Sequence, residues 1–135
     1  MQVINAQDIS GKKVLLRYDI DVVLEEVKDQ SSNVKTKVVE DFKLEAGIPT
    51  LNLCLQNASQ VILMGHIGRP EGKVDDSLKV APIVDWFINK GYEADLDSQK
   101  LVILENLRFD SREQAADLEY AKELASKGDF YVNEA

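Results

Sequence analysis

Three short apolar runs, each broken off at its carboxyl end by polar residues, limit what this chain can fold into: Lys13–Arg17 (KVLLR), Gln60–Met64 (QVILM) and residues 101–104 (LVIL). Runs of this length without polar alternation suit strands buried on both faces, as in a parallel sheet. Helical spacing fills the intervals. Phe42, Ala46, Leu51 and Leu55 recur near a helical period, with Gly47 and Pro49 interrupting, so residues 40–57 predict one kinked helix or two short ones. Residues 78–90 predict another, with Pro82 tolerable in a first turn, Ile83, Trp86 and Phe87 apolar, and Gly91 as a stop. A third spans 111–127, opened by the capping-box pair Ser111 and Gln114 and ended at Gly128. Residues 130–132 read as a further strand, 92–94 as a minor one, and the polar stretch 28–37 as a surface loop or loose hairpin. Strands alternating with helices predict an α/β, Rossmann-like three-layer domain with a mainly parallel sheet and helices on both faces.

At 135 residues the chain has room for one sizeable core, so a single domain over 1–135 is expected. It carries 24 acidic against 16 basic residues, a formal charge of -8. A net anion gains nothing near phosphate backbones or anionic lipids, which argues against nucleic-acid and membrane partners and makes any anion site local. The aliphatic runs are strand-sized, and the amino terminus has no basic start before an apolar stretch, so neither a membrane span nor a signal peptide is expected. The single cysteine, Cys54, rules out an intramolecular disulfide and a thiolate metal cluster. It fits a reducing compartment such as the cytoplasm, and its leucine neighbours predict buried filler.

Ligands of open parallel sheets bind at the carboxyl ends of the strands, where this sequence concentrates its polar residues. Asp19 and Asp21 follow the first run, His66 and Arg69 the second, Glu105, Asn106 and Arg108 the third, and Asn133 and Glu134 the last strand. Either arginine taken alone reads as a surface ion pair, and His66 alone as a satisfied loop histidine. Together, three cationic or potentially cationic groups on one edge of an acidic protein point to a small anion carrying phosphate or carboxylate, to which Arg donates in pairs. Asp19 and Asp21 lack a further cluster that would make them metal ligands, and no metal is expected. Residues 68–74 (GRPEGKV) have one residue too few between the glycines for a phosphate loop and no Ser or Thr after Lys73. No Gly-x-Gly-x-x-Gly follows a strand, so no cofactor is expected in this chain.

At these strand ends the chain resembles the amino-terminal, 3-phosphoglycerate-binding domain of the phosphoglycerate kinase family. The likeness runs through the opening strand and its Arg17-Tyr18-Asp19 turn, Ala46-Gly47-Ile48-Pro49-Thr50-Leu51, His66-Ile67-Gly68-Arg69-Pro70, Glu105-Asn106-Leu107-Arg108-Phe109 and Val132-Asn133-Glu134-Ala135. It implies phosphoryl exchange between 1,3-bisphosphoglycerate and magnesium ADP, giving 3-phosphoglycerate and ATP in glycolysis. Asp19, with the neighbouring turn that holds Asp21, would bind the hydroxyl and carboxylate end. His66, Arg69 and Arg108 would take the carboxylate or the distant phosphate, and Lys43 stands where the family has the catalytic arginine. Asp21 replaces an asparagine, Gly65 a serine and Val23 a proline. The resemblance assigns ADP or ATP with magnesium to a separate carboxyl-terminal domain, which this sequence lacks, along with a later segment carrying a further substrate arginine. The expectation is therefore a fragment that binds phosphoglycerate but is not catalytic alone, with a tendency to self-associate through exposed apolar surface. The alternative is a degenerate stand-alone anion-binding or interaction module of the same fold.

Overall fold

A computed structural model of the chain describes residues 6–28, 31, 33–68, 78–109, 123 and 126–134. Its main sheet has four parallel strands in the order β5-β4-β1-β6, formed by β1 (Lys13–Arg17), β4 (Gln60–Met64), β5 (Leu101–Ile103) and β6 (Phe130–Asn133). β1 sits inside the sheet, with Leu16 in register with Leu63 on one side and Val132 on the other. That position explains its unbroken apolar run: Val14 and Leu16 face one side, Leu15 the other, and all three are buried. Strands β2 (Leu24–Lys28) and β3 (Val34–Val38) form a separate antiparallel hairpin. Of the polar stretch 28–37, Lys28 and residues 34–37 thus belong to a hairpin whose strands extend beyond the stretch on both sides.

Helices α1 (Ala6–Ile9), α2 (Phe42–Ala46), α3 (Ile48–Asn57) and α4 (Ala81–Phe87) all add side chains to the core on the Leu16 face. Opposite them, Leu15, Ile62, Met64 and Leu107 form a second buried cluster. The segment predicted as the helix over 111–127 lies almost entirely outside the described residues. The two short helices expected over 40–57 are present. Pro49 falls in the first turn of α3, where its missing N–H costs no helical bond. At Gly47 a Cβ would stand less than 3.0 Å from the buried Tyr18 ring, so glycine lets that ring pack under the junction.

The expected minor strand at 92–94 is absent. From α4 the chain passes through a wider π-type turn, Ile88–Tyr92, into α5 (Glu93–Asp97), and Gly91, at φ 107°, marks a kink rather than a stop. Tertiary contacts carry the helix past that glycine. The Tyr92 ring packs edge-on to Phe87 at 5.8 Å, and its hydroxyl donates to Asn52 Oδ1 at 2.6 Å, tying the restarted helix to α3.

Candidate functional site

The parallel strands finish at one edge, and each hands its next residues to that edge. After β1 the backbone N–H of Tyr18 still pairs with the Met64 carbonyl at 2.9 Å. The Tyr18 ring turns beneath α2, where its hydroxyl donates to the Leu44 carbonyl, and burial raises its pKa. α2 is thereby seated on the end of β1. In the turn above, Asp19 Oδ1 accepts the Asp21 N–H at 3.3 Å. Lys43, projecting from α2, donates to the Asp21 carbonyl at 3.1 Å and lies 4.0 Å from Asp19 Oδ2.

After β4 comes Gly65, at which a Cβ would sit 2.5 Å from the Tyr18 carbonyl and 2.8 Å from Ile20. The missing side chain lets the turns after β1 and β4 lie against each other. His66 Nε2 consequently comes within 3.7 Å of Asp21 Oδ2, and the Gly68 N–H donates to Asp21 Oδ1 at 2.9 Å. Gly68 has φ 61°, a left-handed conformation that favours glycine.

After β5, Asn106 is only 3% exposed and holds the two neighbouring turns together. Its Nδ2 donates to the carbonyls of Ile67 at 2.7 Å and Leu78 at 3.1 Å, while Oδ1 accepts the N–H groups of Ile67 and Arg108, each at 3.1 Å. Glu105 adds a second clamp, accepting the N–H groups of Val80 at 2.7 Å and Asn106 at 2.9 Å. Arg108, in a short 3-10 turn over Leu107–Phe109, donates from Nη1 to the Gly68 carbonyl at 3.2 Å. Beyond β6 the Glu134 N–H pairs with the Arg17 carbonyl at 2.8 Å, and its carboxylate accepts the Thr50 hydroxyl at 2.6 Å.

The result is an edge of mixed charge over a fixed backbone. Lys43, Asp19 and Asp21 remain about two-fifths exposed, so their pairings are solvent-screened and open to rearrangement by a ligand. Beside them lies a shallow depression of about 150 Å³ lined by Asp21, Val22, Val23, Glu40, Phe42 and Lys43. No three His, Cys, Asp or Glu side chains among the described residues converge as metal ligands.

Over residues 4–135 the chain matches the phosphoglycerate kinase family. It belongs to that family. It is similar to the phosphoglycerate kinase of Roseiflexus sp. (strain RS-1), 37% identical over 147 residues that cover 95% of this chain and 35% of that protein. The chloroplastic phosphoglycerate kinase of Volvox carteri is 36% identical over 146 residues, covering 95% of this chain and 30% of its own length. The structure of phosphoglycerate kinase from Coxiella burnetii superposes with a TM-score of 0.75 at 24% identity, over 94% of this chain and 33% of the other, and shows the shared α/β fold. The chain therefore spans about a third of the length of the curated relatives it matches.

Of the residues that the likeness to phosphoglycerate kinase singles out, Asp19, Asp21, Lys43 and His66 gather in one group. Arg108 joins them through Gly68, and Arg69 lies outside the described residues. Sequence reasoning did not assign positioning roles to Asn106 and Glu105, which fix the turns that carry His66 and Arg108. Their signal was present, because both stand in the Glu105-Asn106-Leu107-Arg108-Phe109 segment that matches the family pattern as it stands.

Proposed function

We propose that this chain supplies the phosphoglycerate-binding part of a phosphoglycerate kinase and does not turn over alone. The observation that carries this reading is the convergence of Lys43, His66 and Arg108 with Asp19 at the carboxyl ends of parallel strands. In the reaction the phosphoryl group of the acyl phosphate passes from 1,3-bisphosphoglycerate to the terminal phosphate oxygen of ADP; its bond to the carboxyl oxygen breaks as the new P–O bond forms, and 3-phosphoglycerate and ATP leave. Such a transfer needs positioned reactants and positive charge more than covalent help. Asp19 accepts the substrate hydroxyl, His66, Arg69 and Arg108 hold its carboxylate or distant phosphate, and Lys43 offers the ammonium that faces the transferring group. Magnesium ADP or ATP belongs, on this reading, to a separate nucleotide-binding domain that closes on this one.

No helix among the described residues is long and apolar enough to cross a membrane, which is compatible with the cytoplasmic setting of this proposal. Val23 (51%) and Phe42 (66%) expose large apolar side chains beside Lys43, and on the same reading they favour self-association, which sedimentation measures directly.

The deciding experiment is a titration of the 135-residue chain with 3-phosphoglycerate at low salt, where electrostatic attraction is least screened, followed through backbone and His66 resonances. Saturable shifts clustered at Asp19, His66, Gly68 and Arg108 are expected. Their absence at millimolar ligand, in this chain and in Asp21→Asn alike, overturns the reading, and steady ATP formation from bisphosphoglycerate by the chain alone overturns its second half.

A further inference from the structure

We infer that Asp21 is a resident anion of this edge: its carboxylate occupies the donors that an incoming anion needs, and so sets the affinity of the site well below what its cations would provide. The inference rests on the reading of the edge as a phosphoglycerate site. Asp21 touches the donors from three directions. Oδ1 takes the Gly68 N–H at 2.9 Å, Oδ2 stands 3.7 Å from His66 Nε2, and its carbonyl takes the Lys43 ammonium at 3.1 Å. The Lys43 contact is to the backbone carbonyl and leaves that ammonium available, so a phosphate or carboxylate entering between His66 and Lys43 competes with the Asp21 carboxylate for the Gly68 N–H and for His66.

Asp19 differs. Its Oδ1 closes its own turn by accepting the Asp21 N–H, and its other oxygen stands 4.0 Å from Lys43. Arg108 also differs, since it engages the carbonyl of Gly68 rather than the N–H that Asp21 holds. The competition therefore falls on Asp21. The contacts it makes are half-exposed, so a ligand can displace the carboxylate, but only against a like charge a few ångströms away.

Asp21→Asn separates charge from geometry, because the amide oxygen still accepts the Gly68 N–H while the negative charge is gone. Calorimetric titration of the 135-residue chain with 3-phosphoglycerate at low salt is expected to show binding roughly tenfold tighter for D21N than for the unaltered chain, with the gain shrinking as salt is raised. Glu40→Gln is the control, a carboxylate removed from the same depression, and it is expected to change affinity less than about twofold. Asp21→Ser, which keeps a short acceptor, repeats the test should D21N fail to give a folded spectrum.

Tighter binding by D21N or D21S with little change in E40Q supports the inference. Binding by the unaltered chain that D21N leaves equal or weakens overturns it while the proposed function stands. Equal gains in D21N and E40Q overturn it in favour of a general charge effect. No binding by the unaltered chain or by either Asp21 variant overturns the site reading and the inference together.

Discussion

Asn106 and Lys43 stand on the same edge of the sheet and are built into it in opposite ways. Asn106 is 3% exposed, and its side-chain amide holds four backbone groups from the turns after β4 and β5. Lys43 is 39% exposed and rests on one carbonyl and a 4.0 Å approach to Asp19. Buried polar atoms without partners are costly, so the Asn106 turn has one good arrangement and keeps it. Screened surface charges cost little to re-pair, so the Lys43 corner accepts another partner without disturbing the fold. Shape is invested in the first region and adjustable charge in the second.

The sharpest way to break this contrast is Asn106→Ala. Four backbone groups lose their partner in a buried place, and a loss of about 3 to 5 kcal/mol is expected by urea denaturation. Lys43→Ala in the same assay is expected to stay within about 0.5 kcal/mol. Similar values for the two would erase the distinction. Gly47→Ala comes next and tests the seat below the corner. Its new Cβ would meet the Tyr18 ring, which is 1% exposed, and a loss of about 2 kcal/mol is expected. A neutral result would show that Tyr18 and α2 yield as easily as the charges above them.

A further effect is alkaline. Burial pushes the Cys54 thiol from its ordinary 9.0 up to about 11, and burial also raises the Tyr18 pKa. In the unfolded chain these groups lose their protons at lower pH than in the fold, so the stability linked to them is complete below pH 9 and falls as pH rises. For Cys54 the loss runs between about 9 and 11. Urea midpoints measured across that range should drop, and less steeply in Cys54→Ala; a flat profile would mean that water reaches the thiol.

Much of the architecture was legible in the sequence because burial on both sheet faces leaves an unmistakable trace in β1 and β4, and β5 and β6 lie where their shorter apolar runs stand. Gly47 and Pro49 marked the break between α2 and α3 for reasons of local chemistry. The restart after Gly91 was not legible, since it depends on Tyr92 reaching Asn52 and Phe87 in space. The hairpin strands were obscure for a different reason: most of their residues are exposed, so no strong alternation of apolar and polar side chains is imposed on them. At the site, the charged residues announced themselves by following the strands. Asn106 stood among them, but its clamping role did not show, because an asparagine in a loop looks the same whether it is solvated or buried as a clamp.

The strand order carries a kinetic consequence. No two neighbours in the main sheet are joined by a tight turn, and the pairing of β1 with β6 joins segments separated by 116 residues. Closing so long a loop is entropically the most demanding step in the sheet, while β1 with β4 and β4 with β5 close shorter ones. Refolding should therefore zip the sheet from β5 through β1 first and dock β6 last. The ties that arrive with β6, from Glu134 to Arg17 and from Glu134 to Thr50, are then the final pieces of the strand-end edge to mature.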